Sequence, residues 1–122
     1  GRCSIHDFRP GFCRLFPLGR FYENGGFKYF LQIHECKKTS RSKIKVKKWI
    51  DTPDLTRNQQ FTLQWHDLLH AMEERLTGED EGKQREENLL LLRLFYLLPY
   101  KGTTDFYSQF MERMEYWNEQ IR

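Results

Sequence analysis

Lys43, Lys45 and Lys47 occupy every second position of a stretch that also carries Ile44, Val46 and Ile50. Lysines in such a row suit phosphate recognition better than catalysis. In an extended strand alternate side chains share a face, so the three ammonium groups would stand about 7 Å apart, close to the spacing of phosphates along an extended nucleic-acid strand. Trp49 continues the row. In the preceding segment Phe27, Tyr29, Leu31 and Ile33 alternate with Lys28, Phe30, Gln32 and His34, and Lys28, Phe30 and His34 make a second row. If these strands pair, the sheet presents cations for phosphates interleaved with rings for bases, each stacked base contributing roughly 1–3 kcal/mol. The competing reading is a sheet edge protected by lysines, with Trp49 in the core.

Cys3, Cys13, His34 and Cys36 are a second set, with His6 nearby. Thiolate and imidazole are zinc ligands and four of them close a tetrahedron. Zinc is therefore the one cofactor the sequence offers, against the plainer reading of three free thiols and a surface histidine. An odd cysteine count in a chain long enough to close a core without disulfides favours a reducing, intracellular compartment. His66 and His70 lie four apart on an expected helix with Asp67 between them, but the glutamate of the His-Glu-x-x-His pattern is missing. No Gly-rich phosphate loop or nucleophile signature is present, and Glu73, Glu74, Glu86 and Glu87 fall in charge runs of the kind that stay solvated. The chain reads as a binding protein rather than an enzyme.

The net charge of +3 over 122 residues conceals a division. Residues 1–50 carry 12 Lys/Arg against 3 Asp/Glu, a surplus of nine positive charges, whereas residues 51–122 carry 8 against 14, a surplus of six negative ones. Such a dipolar field draws polyanions to one side and keeps them off the other. No apolar run is long enough to cross a bilayer, so no membrane partner is expected. The chain begins with Gly1 rather than Met, so a missing leader carries no weight.

The elements that must position these residues follow from periodicity. Asn24-Gly25-Gly26 is a hairpin signal leading into a strand over Phe27 to Cys36. A first strand is expected around Cys13 to Phe16, another over Lys43 to Ile50 and a short one over Gln60 to Leu63, with Asp51 to Asn58 a loop around Pro53. From Gln64 the period becomes helical, with Trp65, Leu68, Leu69, Met72 and Leu76 on one face and Gly78 as a stop. Asn88 to Leu98 is apolar nearly all round, which predicts a helix buried on more than one side and ended by Pro99. Thr104 caps a last helix carrying Phe106, Phe110, Met114 and Trp117, either core or a partner surface. The expectation is one α+β domain over residues 1–122, about four antiparallel strands followed by about three helices. Residues 1–63 are its basic β-rich half and residues 64–122 its acidic helical half.

The succession Leu18-Gly19-Arg20, Tyr29-Phe30-Leu31-Gln32-Ile33, Ile44-Lys45-Val46-Lys47-Lys48-Trp49-Ile50-Asp51, then Phe61-Thr62-Leu63 and Trp65-His66-Asp67-Leu68-Leu69 resembles the positive-cofactor transcriptional coactivators and the related whirly proteins. The resemblance spans residues 15–76. It implies a curved four-stranded sheet followed by a helix, single-stranded DNA as ligand, a binding face carrying Arg20, Lys28, Phe30, Lys45, Lys47 and Trp49, and dimerisation through the helix after the fourth strand. It also implies a place in the nucleus.

These observations point to a DNA-binding domain of a transcription or genome-maintenance factor, preferring single-stranded or distorted DNA. Its binding residues would be Arg20, Lys28, Phe30, His34, Lys43, Lys45, Lys47 and Trp49, with a second copy or another protein held by the C-terminal helices. The alternative is a protein-interaction module, such as a viral accessory factor, that docks through those helices.

Overall fold

A computed structural model describes residues 3–35, 37 and 42–122. The chain divides into two compact units, Gly1–Leu63 and Gln64–Arg122. A 3-10 turn over His6–Phe8 opens the first. It is followed by α1 (Gly11–Leu15), β1 (Leu18–Glu23), β2 (Gly26–Leu31) and α2 (Val46–Ile50). A long helix, α3 (Leu55–Leu76), continues into the second unit, which adds α4 (Glu81–Leu92), a π-helical turn over Arg93–Leu97 and α5 (Phe106–Gln120). The described residues thus hold one two-stranded antiparallel sheet and five α-helices. Both element types are present, but four strands followed by three helices is not the arrangement.

Each missing strand has a local cause. Cys13 to Phe16 falls largely in α1, whose first turn is closed by the Cys13 and Arg14 amides donating to the Pro10 carbonyl. The segment Lys43 to Ile50 fails as a strand at Lys48. Strict alternation would turn that lysine onto the apolar face, whereas one helical turn puts Val46 and Ile50, four apart, on the same side and leaves Lys47 and Lys48 exposed. Ile50 is buried, and Asp51 ends the turn in the left-handed region at φ 51°. Gln60 to Leu63 lies inside α3, which starts earlier than periodicity alone suggests because Asp54 caps it. The Asp54 carboxylate accepts from the Arg57 amide at 3.1 Å and its carbonyl from the Asn58 amide at 3.0 Å.

The hairpin forms where its turn residues demand. Asn24 and Gly25 both take positive φ, 50° and 70°, which is the two-residue turn whose twist matches paired strands. The register pairs Leu18 with Leu31, Arg20 with Tyr29 and Tyr22 with Phe27.

In the second unit Leu68, Met72 and Leu76 of α3 are buried, as are Leu94, Phe95, Phe110 and Trp117, and Trp65 of α3 meets the Phe95 and Phe110 rings edge-on. Within the aromatic stripe of α5, Phe110 and Trp117 are core, each only 2% exposed, whereas Phe106 stays exposed. Helix α4 begins at the Asp80 cap and α5 at Asp105, one residue after Thr104. The run Asn88 to Leu98 is not buried on several sides: Leu94 and Phe95 are inside while Leu89, Leu92, Leu97 and Leu98 are exposed.

One charge is buried there. Arg113 donates to the carbonyls of Leu94 (2.7 Å), Leu98 (2.8 Å) and Pro99 (2.9 Å), and its guanidinium lies 3.6 Å from the centre of the Tyr100 ring. Carbonyls at the end of a helical run lack partners within it, and one planar fork satisfies three of them. Burial pushes the Tyr100 hydroxyl above its usual range, and Arg113 opposes that shift. No helix among the described residues is long and apolar enough to cross a membrane.

Candidate nucleic-acid interface

The hairpin sorts its side chains onto two faces, because residues directly opposite in the register project the same way. One face is closed by its own rings. Tyr22 and Phe27 are 5.6 Å apart, Phe27 and Tyr29 5.2 Å, and the Arg20 guanidinium lies 5.4 Å and 5.9 Å from the centres of the latter two. The Gln59 amide donates to the Tyr29 hydroxyl at 3.2 Å. Arg20 therefore braces a packed face through cation–π contact, and its Nε is buried with no hydrogen-bond partner among the described residues.

The other face carries Phe21, Lys28 and Phe30, all exposed, Phe21 at 59% and Phe30 at 47%. Gly19 makes room for the Phe30 ring: a Cβ at that position would come within 2.4 Å of it. Lys28 is held across the strands by Glu23 at 2.5 Å.

Of the residues expected to share one binding surface, Lys28 and Phe30 do so, and Arg20 belongs to the opposite face of the hairpin. Strand β2 ends at Leu31, where the Gln32 amide donates to the Pro17 carbonyl, and His34 sits exposed in the turn that follows. Lys43 and Lys45 are exposed in the non-helical stretch before α2, while Lys47 and Trp49 lie on α2 itself. No lysine comb on a strand is formed. Helix α2 is instead tied to the α1 region: Trp49 Nε1 donates to the Phe16 carbonyl at 3.1 Å and Arg14 to the Asp51 carbonyl at 3.0 Å.

Sequence reasoning passes over four further rings. Phe8, Phe12, Phe16 and Phe21 are exposed, Phe8 at 88%. The signal is available only faintly in a count: residues 1–50 hold nine aromatic side chains and eight Ile, Leu or Val, against nine and eleven in residues 64–122. Among the described residues, only Leu15 and Ile50 form a buried hydrophobic centre in that stretch.

Of the residues proposed for zinc, Cys3 and Cys13 are exposed free thiols and His34 is exposed. Cys36 lies outside the described residues. Among those described, no group of three or more His, Cys, Asp or Glu is placed to hold a metal ion. The His66 and His70 rings are 6.2 Å apart on α3, and His70 Nδ1 lies 3.6 Å from Glu74.

No protein-family model matches the chain, no curated protein matches it, and no solved structure matches it. The four-stranded sheet that the coactivator resemblance implies is replaced by a single hairpin.

Proposed function

We propose that the first unit binds single-stranded nucleic acid, with exposed aromatic rings as base-stacking platforms and the surrounding cations as phosphate ligands. The observation that carries this reading is the joint exposure of Phe8, Phe12, Phe16, Phe21, Phe30 and Trp49 in a stretch with nine surplus positive charges. Exposed rings among cations suit a strand whose bases are unpaired, because every base offers a face for stacking and every link offers a charge. A duplex hides its base faces and would use the cations alone.

In this reading Phe21, Lys28 and Phe30 form one patch on the open face of the hairpin. Lys43, Lys45, Lys47 and Trp49 contribute as a loop and helical turn rather than as a strand. Arg20 supports the rings from behind, and His34 borders the end of β2. Sequence-tolerant binding is expected, because stacking on rings and charge pairing with phosphates read no base edge.

Fluorescence anisotropy tests the proposal, using labelled oligothymidylate and oligouridylate of about 20 nucleotides and a duplex of equal length at about 50 mM salt. Single strands should bind at least tenfold more tightly than the duplex, with affinity falling as salt rises. Co-sedimentation with phosphatidylserine vesicles supplies the counter-experiment, since cations and exposed rings also suit an anionic membrane. Vesicle binding without single-strand binding would replace the nucleic acid by a lipid surface.

A further inference from the structure

The second unit leaves an apolar groove uncovered. Leu89, Leu92, Leu97, Leu98 and Pro99, with Arg93 at the rim, line a depression of about 470 Å³. Leu89 is 55% and Leu97 66% exposed. Helix α4 supplies Leu89 and Leu92 to this surface, and the π-helical turn adds to it. Its wider step lets Leu94 and Phe95 point inward while Leu97 and Leu98 emerge close to Leu92.

The charges around the groove differ from those of the unit as a whole. Arg85 lies one turn before Leu89 on the same face of α4, and both Arg85 and Arg93 are exposed. Among the described residues neither is paired with a carboxylate, whereas Arg75 is held by Glu87, Lys83 by Glu79, and Arg113 by carbonyls. Glu86 is the nearest acid in sequence on that side.

The matching surface is on the same unit. Glu112, Glu115 and Glu119 recur at helical spacing on the outer face of α5, flanked by Met111 and Tyr116, and all five are exposed. It is an acidic face with apolar shoulders, complementary in charge and hydropathy to a leucine groove with arginine at its rim.

We propose that the groove is occupied by α5 of a second copy of this chain, in a two-fold dimer in which each copy's Arg85/Arg93-rimmed groove takes the other's Glu112/Glu115/Glu119 face. A second depression, lined among others by Leu98, Pro99, Glu112 and Tyr116, joins the two surfaces within one copy. A two-fold axis near Leu98 therefore engages both surfaces at once and closes the assembly at two. This inference is independent of nucleic-acid binding.

Sedimentation velocity of the 122-residue chain from about 1 to 200 µM, a range that brackets ordinary dimer affinities, reads the outcome. A monomer–dimer equilibrium is expected. Arg85→Glu with Arg93→Glu gives one variant, and Glu112→Lys with Glu115→Lys and Glu119→Lys gives another. Each should weaken dimerisation at least tenfold while keeping the wild-type circular dichroism, as should Leu97→Asp. Mixing the two charge variants should restore a dimer, because opposite charges again face each other where a groove of one variant meets an α5 of the other. A wild-type chain that stays monomeric throughout, which would leave the groove to some other acidic helix, overturns the proposal. So do charge variants that dimerise like wild type, or a mixture of folded variants that stays monomeric.

Discussion

Residues 1–50 and residues 64–122 each carry nine aromatic side chains, but six of the first nine are exposed against three of the second, Tyr96, Phe106 and Tyr116. In the second unit Phe95, Phe110 and Trp117 are buried, and Trp65 packs edge-on against Phe95 and Phe110 at 5.1 Å and 6.3 Å. In the first stretch six of the nine are exposed, and its buried hydrophobic residues are, among those described, Leu15 and Ile50. Exposing a ring that could be buried forgoes roughly 1.5–3 kcal/mol. In our proposal a set of such rings among surplus cations is a surface kept for a partner. The same residue type makes a core in one unit and, in our proposal, a ligand platform in the other.

Substitutions can break or sharpen this contrast. The largest effect belongs to Trp117→Ala, which should remove about 3–5 kcal/mol in urea or thermal unfolding because the cavity forms at the centre of the second unit. Phe8→Ala should stay within about 0.5 kcal/mol, and equal losses at the two sites would end the contrast. Next comes Arg113→Met, which leaves three carbonyls without their donor and should cost about 2–4 kcal/mol. Arg113→Lys should recover only part of it, since an ammonium cannot span all three acceptors.

Within the first unit the effects move from stability to affinity. Phe21→Ala, Phe30→Ala and Trp49→Ala should each weaken oligothymidylate binding by about 1–3 kcal/mol. For Phe21 and Phe30 the melting temperature should barely change. Trp49→Ala should also lower it slightly, because its indole no longer donates to Phe16. Replacing Lys43, Lys45, Lys47 and Lys48 together by Gln should flatten the log–log salt dependence by about 0.7 for each phosphate no longer neutralised. A smaller effect on stability is expected for Gly25→Ala: at φ 70° a Cβ strains the hairpin turn by about 1 kcal/mol, visible as a small drop in melting temperature.

The parts of the fold that can be read from sequence are those where one signal acts alone. Asn24-Gly25 dictates the hairpin turn, and the spacing of Leu68, Met72 and Leu76 defines the inner face of α3. Reading fails where two periods fit the same residues. Val46 and Ile50 suit a strand face or a helical turn equally, and Lys48 alone distinguishes them. Phe61, Thr62 and Leu63 have strand-forming character, but the Asp54 cap nucleates a helix that runs through them. For Leu89 to Leu98, hydrophobicity does not translate into burial: Leu89 and Leu92 are exposed on α4, and the π-helical turn beside which Leu97 and Leu98 emerge leaves no local sequence mark. Lys28 and Phe30 can be placed on one face because their strand is real. The comb of Lys43, Lys45 and Lys47 cannot, because its strand is not.

The most direct test is chemical-shift mapping of the 122-residue chain titrated with oligothymidylate. Perturbations should concentrate in residues 3–50, led by the ring resonances of Phe21 and Phe30, the Trp49 indole and the Lys28 amide, while the Trp65, Phe110 and Trp117 rings stay unmoved. Shifts confined to residues 64–122, or none at saturating oligonucleotide, would contradict the claim that the outward rings of the first unit are a platform for unpaired bases.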